Sequence, residues 1–455
     1  MSPIRRQLLI AVAVSMLAAC AAGPGTPLPP IVFVHGNGDT AALWTTTVWR
    51  FESNGWPRER LHAVDMPYPL AREDDTRPQD GRSSTGESMA HLSAEVETVL
   101  ARTGARQVVL IANSRGGNAV RNYIANGGGA AKVSHAILGG TPNHGVYADP
   151  TRSLNAEFNG AGAFLTGLNA LKGPNGDEVT PGIEWMTIRS DNNDKFAQPD
   201  GAWIGAKGLP TNVRFDGPAL KGAENVVIAG IDHRETSYGA KAFEAMFRFI
   251  TGKPPVSVTV APEASVVLDG KISGYLAYAA QGTVPTNLPL AGASVVVYAT
   301  DPATGDRLGT EVHRKAIGAD GLWGPFKADS RASYEFVVTA PGYATTHIYR
   351  SPFPRSSIVV NMRAEKIFEV DKDAAAIVVM TRPRGYFGVP RDQISLDGKS
   401  PPSGLSPGVA GVGSSKLKLP EGASRAVAAV FNEERLVGRT WPVAENAISY
   451  LEFTY

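Results

Sequence analysis

Residues 108–117 read Val108-Val109-Leu110-Ile111-Ala112-Asn113-Ser114-Arg115-Gly116-Gly117, and their order decides the fold. Four consecutive apolar residues predict a strand buried on both faces. The stretch from Asn118 to Ala125 predicts a helix. Between them, small residues (Ala112 and Gly116) stand two positions before and two after Ser114. A chain that leaves a strand and enters a helix through so sharp a turn presses those neighbours against both elements, so only small side chains fit. Ser114 is thereby pushed into the open with its hydroxyl accessible.

Working outward, the same alternation recurs. On the N-terminal side, Ile31–Val34 and Leu61–Val64 are expected strands, with helices from Ala41 to Glu52 and from Ser88 to Thr103. On the C-terminal side, Val133–Leu138, Trp185–Ile188 and Val226–Ala229 are expected strands, and Gly239–Phe249 is an amphipathic helix. Apolar strands separated by helices argue a mostly parallel sheet with helices on both faces, over residues 31–253.

Near Lys253-Pro254-Pro255 the pattern changes. Alternating strands follow, such as Val256–Val260 and Ser294–Tyr298, with recurrent turn signals and no convincing helix. A second break near Arg363-Ala364-Glu365 divides this region into two small all-β sandwich or barrel modules, 256–364 and 365–455. The order of Gly321–Phe326, Tyr334–Val338 and Pro341-Gly342-Tyr343 resembles transthyretin-like or Ig-like modules.

Composition excludes several functions. Lys and Arg total 44 against 43 Asp and Glu, a formal net charge of +1, so no basic excess exists to attract nucleic acid. The single cysteine, Cys20, allows neither an intramolecular disulfide nor a Cys-based zinc site. No glycine-rich phosphate loop or metal-ligand spacing is present, so no cofactor and no metal is expected.

Cys20 has its own explanation. Arg5-Arg6 precede an apolar stretch from Leu8 to Ala19, too short for a comfortable membrane span but suited to a signal peptide. It ends in Leu17-Ala18-Ala19-Cys20, which resembles a bacterial lipobox, where the cysteine is acylated and becomes the new N-terminus. Residues 1–20 are thus expected to be a lipoprotein signal peptide and 21–30 a tether. The chain would cross the inner membrane and be lipid-anchored in the cell envelope. Ala21 after the cysteine points to the outer membrane by resemblance to sorting signals. The alternative is an ordinary secretory peptide and an extracellular protein.

Together, Val34–Gly38, Ala112–Gly117, Gly140–Gly145, Asp194–Pro199 and Asp232-His233 resemble bacterial lipases and esterases of the α/β-hydrolase superfamily, the class 2 lipases above all. The resemblance spans about residues 28–252. It implies a triad in the chain order Ser, acid, His, with Ser114 as nucleophile and His233, after the last strand, as base. Asp191 and Asp194 compete for the acid. Asp194 is preferred because Asp194-Lys195-Phe196-Ala197-Gln198-Pro199 matches the run common in lipases, and Asp191 stands as the alternative. The backbone N–H groups of Asn37 and Arg115 are the implied oxyanion donors. His35 would brace the loop and His144 shape the pocket. Ala112 departs from the commoner glycine, as it does in some bacterial lipases.

Substrate signals are fewer. An insertion at 145–183 sets Phe164, Leu165, Leu168 and Leu171 on one helical face, and reads equally as a lid or acyl-pocket wall and as a helix packed on the sheet. The β modules carry Trp323, Phe326, Tyr343, Tyr349, Phe353, Tyr386 and Phe387, which could meet lipid or polymer or could be core. These modules are expected to add no chemistry, so truncation near Gly252 should spare hydrolysis of a short soluble ester. The layout is similar to that of an archaeal long-chain lipase whose C-terminal β region helps engage lipid. The expected activity is serine carboxylic-ester hydrolysis, as a lipase or esterase acting on lipid. A polyester depolymerase with the same triad is the alternative, and a non-catalytic surface-binding lipoprotein a further one.

Overall fold

Both faces of the strand at Val108–Asn113 are covered: Val108, Leu110 and Ala112 pack to one side, Val109 and Ile111 to the other. Ile31–Val34 divides the same way, Val32 and Val34 against Ile31 and Phe33. A period of two with both sides apolar is what a strand inside a covered sheet requires. The computed structural model describes residues 28–191, 193–198, 208–209, 211–278 and 282–455. The expected signal peptide with Cys20, most of the tether, and Pro199 lie outside them.

Six strands form the central sheet: β1 (Ile31–Val34), β2 (Leu61–Val64), β3 (Val108–Asn113), β4 (Val133–Gly139), β5 (Glu184–Ser190) and β6 (Glu224–Ile228). Their order is β2-β1-β3-β4-β5-β6 and every neighbouring pair is parallel. Helices α1 (Thr45–Ser53), α2 (Thr85–Thr103) and α3 (Arg115–Asn126) precede the short α4 (Ala163–Leu168), the single turn α5 (Glu235–Tyr238) and α6 (Ala240–Thr251). On α2, Leu92, Val96 and Val99 recur at helical spacing and pack with Val120 and Tyr123 of α3 on one face. On the other face, Phe51 of α1 meets Phe243 of α6 edge-on at 5.1 Å. This is an α/β-hydrolase fold.

Helix α2 begins three residues before the sequence pattern suggests. Ser84 and Glu87 form a reciprocal capping box that satisfies the first N–H groups, and Gly104 ends the helix at φ 65°. The expected strand at 256–260 does not form. Its backbone bonds to the end of α1 instead: Asn54 Oδ1 accepts from the N–H of Val256 (2.7 Å), and Arg50 Nε donates to the carbonyl of Val258 (2.8 Å). With those groups satisfied by side chains, no ladder partner is needed.

Beyond this segment the chain is β-rich, and one seven-stranded sheet takes strands from both sides of the expected break at 364–365. Thr345–Arg350, from the first module, pairs in parallel with Ala447–Glu452 of the second, inside this sheet. Each module has an apolar core of its own, and the two meet where Tyr349 of the first enters that of the second. Trp323, Phe326, Phe336 and Phe353 belong to the first, which Trp49 of α1 also enters, and Phe387, Phe431 and Phe453 to the second. Of the aromatic residues that could have met lipid, Trp323, Phe326, Tyr349, Phe353 and Phe387 are buried in apolar cores, Tyr386 is buried against Lys195 and Arg234, and Tyr343 is half-buried. Among the described residues, no helix is long and apolar enough to cross a membrane.

Candidate active site

Ser114 sits between β3 and α3 at φ 52° and ψ −123°, a conformation that costs a non-glycine residue about 1–3 kcal/mol. The packing around it shows why its neighbours are small. A Cβ on Gly116 would lie 2.4 Å from the carbonyl oxygen of Val34 and 2.6 Å from that of His35, and one on Gly117 would lie 2.0 Å from Thr141 Oγ1. Ala112 is fully buried in the sheet. The turn is held on the other side by the Ser114 N–H, which donates to the Gly139 carbonyl at 2.7 Å.

His233 lies on the turn between β6 and α5. Its Nδ1 and Asp194 Oδ2 are 2.8 Å apart, and both side chains are buried. The ring meets Phe196 edge-on at 4.6 Å. His233 Nε2 is buried without a hydrogen-bond partner among the described residues. His233, Ser114 and Asn37 line one cavity of about 200 Å³, whose other walls include Pro142, Val146, Tyr147, Phe158, Phe196 and Val213. A wider groove of about 800 Å³ runs along the edge strand β6 and α6 but contains none of the three.

Asp191 is turned elsewhere. Its Oδ1 accepts from the Asn193 N–H (3.0 Å) and its Oδ2 from the Gly230 N–H (3.1 Å), so it closes the turn after β5. Asp194 is held by the N–H of Phe196, which donates to Oδ1 at 2.8 Å.

The loop of Asn37 is fixed from both sides. Asn37 Oδ1 accepts from the Ala71 N–H (2.7 Å), and the Gly38 N–H donates to the Pro69 carbonyl (3.1 Å). As the first residue of α3, Arg115 has an N–H with no carbonyl of its own helix to reach. Its guanidinium points the other way, into the protein. It pairs with buried Glu157 at 2.7 Å and donates to the Ser83 carbonyl at 2.7 Å. Burial raises the Glu157 carboxyl above its usual range. His35 is internal: its Nε2 accepts from the Met66 N–H at 3.0 Å, which leaves Nδ1 to donate to the Gly36 carbonyl at 2.9 Å. Burial lowers its pKa. His144 pairs with Glu178 at 3.1 Å rather than lining the cavity.

The insertion at 145–183 contributes to the cavity through its first part, Val146, Tyr147 and Phe158. The helix singled out there, α4, packs on α3 instead. Leu165 and Leu168 are buried, Leu171 is 65% exposed, and Arg121 of α3 donates to the Leu168 carbonyl at 3.2 Å.

Several supporting residues escape the sequence pattern. Asn113 Nδ2 donates to Ser237 Oγ (2.7 Å) and to the His233 carbonyl (3.3 Å); the visible signal was an amide in an otherwise apolar strand. From the C-terminal module, Arg382 reaches Asp232 at 2.9 Å, and the Tyr386 ring lies 4.1 Å from Lys195 Nζ. Burial, together with neighbouring Arg234, lowers the Lys195 ammonium to about 8. The module therefore borders the loops of Asp194 and His233. No short-range pattern could reveal a contact across about 150 residues. Among the described residues, no group of three or more His, Cys, Asp or Glu side chains could hold a metal ion.

Residues 29–148 match the family model for lipase (class 2), and residues 264–367 match that for the lipase C-terminal domain. A non-heme haloperoxidase of Rhodococcus erythropolis is 33% identical over 112 residues, 24% of this chain and 35% of that protein. A non-heme chloroperoxidase of Burkholderia pyrrocinia is 32% identical over 137 residues, 29% of this chain and 42% of that protein. The chain thus matches less than half the length of either curated relative. Among solved structures, a Bacillus licheniformis lipase in its propeptide form is similar over 92% of this chain and 94% of its own, at 15% identity and a TM-score of 0.36. Aspergillus fumigatus lipase B is similar over 53% of this chain and 56% of its own, at 15% identity and a TM-score of 0.34.

Proposed function

We propose, from the premise that the chain is a class 2 lipase-like α/β-hydrolase with a C-terminal lipase module, that it is a serine carboxylic-ester hydrolase, a lipase or esterase, working through Ser114, His233 and Asp194. The observation that carries this reading is the 2.8 Å contact from His233 Nδ1 to Asp194, with the unpartnered Nε2 and Ser114 on one cavity. Asp194 keeps the proton on Nδ1, so Nε2 is the basic nitrogen. Ser114 Oγ attacks the ester carbonyl and passes its proton to Nε2. The resulting oxyanion accepts hydrogen bonds from the N–H groups of Asn37 and Arg115, each worth several kcal/mol in such sites. His233 then protonates the departing alkoxide, leaving an acyl-Ser114 ester. Water, deprotonated by His233, attacks that ester, and the carboxylic acid and free Ser114 result.

The cavity wall of Val146, Phe158, Phe196 and Val213 suits an apolar acyl group. Its volume of about 200 Å³ is below the roughly 300–1,000 Å³ of pockets for drug-sized ligands, which favours short to medium acyl chains. Most of the aromatic residues that would have supported a polyester-binding face are buried, so that alternative loses its main support. A fluorophosphonate probe should label the wild type and not Ser114→Ala. A p-nitrophenyl ester series should then peak at short to medium chain length. A wild type that neither labels nor hydrolyses any ester overturns the proposal.

We also propose that Cys20 is acylated and anchors the chain in the cell envelope, on the strength of Leu17-Ala18-Ala19-Cys20. Cys20→Ser should abolish palmitate labelling and move the protein to a soluble fraction. Equal partitioning of both forms into detergent would sink the anchor.

A further inference from the structure

The turn that carries His233 is held from outside its own domain. Asp232, fully buried, uses Oδ1 within the turn, accepting from the N–H groups of Arg234 (2.8 Å) and Glu235 (2.9 Å). Its Oδ2 faces the C-terminal module and accepts from Arg382 Nη1 (2.9 Å) and from the Tyr386 N–H (2.8 Å). Arg382, itself 4% exposed, also donates to Glu235 Oε1 (2.7 Å), to the Tyr386 carbonyl (2.6 Å) and to the Tyr455 carbonyl (3.1 Å). Arg391 adds a bond to Glu235 Oε2 at 2.9 Å.

Two carboxylates three residues apart, one of them fully buried, need cations to remain there. Among the described residues, the cations within salt-bridge distance of Asp232 and Glu235 are Arg382 and Arg391, both from the C-terminal module. The next residue along, Arg234, pairs with Asp39 beside the Asn37 loop and donates to the Pro383 carbonyl. The acid's loop meets the same module. Asp194 forms a backbone bridge with Ala410, and Lys195 Nζ donates to the Gly411 carbonyl at 3.3 Å. One module thus borders the loops of the base and the acid, and reaches the Asn37 loop only through Arg234.

We infer that Arg382 of the C-terminal module is a positioning residue for His233, fixing the turn that aims the imidazole at Ser114. The inference rests on the reading of His233 as base. Arg382 touches no substrate; it acts through Asp232 and Glu235. A misplacement of about 1 Å at a catalytic group costs on the order of 10²-fold in rate, and the effect should fall on turnover rather than on binding, because the cavity walls come from other segments.

The test uses the full chain and a short p-nitrophenyl ester, with fluorophosphonate titration to count competent sites. Arg382→Met should lower kcat about 10²-fold with KM little changed, and Arg382→Lys should recover part of the loss. If Arg382→Met does not fold, Arg382→Lys and Asp232→Asn carry the test, and each should lower kcat with KM unchanged. Folded variants with wild-type kcat, or a rise in KM alone, overturn the inference. A wild type that neither labels nor turns over, in parallel with Ser114→Ala, would instead overturn the proposed activity. A reactive wild type with indifferent Arg382 variants removes only the positioning role.

Discussion

Asn113 Nδ2 donates to the carbonyl oxygen of His233 at 3.3 Å, so the residue before the proposed nucleophile is tied to the backbone of its proposed base. The same amide group donates to Ser237 Oγ at 2.7 Å and contacts the Gly139 carbonyl at 3.4 Å. One buried side chain at the end of β3 thus joins the elbow, the end of β4 and the turn that leads into α5. Fixing all three from one atom keeps Ser114 and His233 at a constant separation, which a proton transfer between them requires.

Asn113→Ala is therefore expected to do two things. It leaves buried polar groups without their donor, at about 1–3 kcal/mol, and it frees the His233 turn. Urea unfolding should show the first effect, and kcat on a short ester, reduced by about tenfold or more, the second. Asn113→Ala with wild-type kcat would show that the turn needs no tie to the elbow.

Asp194 and Asp191 should separate cleanly. Asp194→Asn replaces the carboxylate proposed to select the imidazole tautomer, a loss worth about 10⁴ in kcat in a triad. Asp191 accepts backbone N–H bonds in the turn after β5 and does not reach His233. Asp191→Asn is expected to lower stability slightly and leave kcat within a few-fold. The opposite ranking, in steady-state assays of folded proteins, would assign the acid to Asp191.

How much of this was written in the sequence depends on the range of each contact. The strands of the parallel sheet were legible because Ile31–Val34 and Val108–Ile111 are apolar at every position, a pattern that a two-sided core demands. Ser114 was legible because Ala112 and Gly116, two positions to either side of it, mark a local steric constraint. The pairing of Asp194 with His233 spans 39 positions, and the linear pattern left Asp191 in contention. Val256–Val260 alternates like a strand but spends its backbone groups on Asn54 and Arg50, side chains about 200 residues earlier. Arg382 directly follows the strand Ala376–Thr381 and carries no local signal of a role. Its role depends on two carboxylates about 150 residues away, which periodicity cannot detect.

Lys195 gives the protein a pH dependence whose sign can be worked out. Its ammonium lies between the Phe196 and Tyr386 rings, and burial holds its pKa at about 8, against about 10.4 in an unfolded chain. Between those values the unfolded state binds the proton and the folded state does not. The contribution of Lys195 to stability therefore rises as pH increases from about 8 to about 10.4 and is flat below about 8. Lys195→Met should remove that rise. Urea midpoints taken at pH 8 and pH 10 for both proteins check it, and identical slopes would mean that Lys195 titrates normally.

Arg115 and Glu157 make the last prediction, because their pair joins the oxyanion side of the site to the acyl side. Arg115 provides one proposed oxyanion N–H from its backbone, while its side chain, nearly inaccessible, holds Glu157 at 2.7 Å. Glu157 also accepts from Asn118 Nδ2 at 3.2 Å and directly precedes Phe158, a wall of the cavity. Removing one partner of a buried pair leaves the other charge uncompensated and costs about 3–5 kcal/mol. Glu157→Ala should therefore destabilise the fold by roughly that amount in urea unfolding. Glu157→Gln, which keeps an acceptor for the guanidinium, should cost less. Replacing both residues, Arg115→Met with Glu157→Leu, should cost less than Glu157→Ala, because no charge is then stranded. In whichever single variant folds, KM for an ester with an apolar acyl chain should rise more than kcat falls, since Phe158 loses its anchor while the Arg115 N–H stays on α3. A change confined to kcat would mean that Glu157 serves the oxyanion side alone and that the Phe158 wall is set by other contacts.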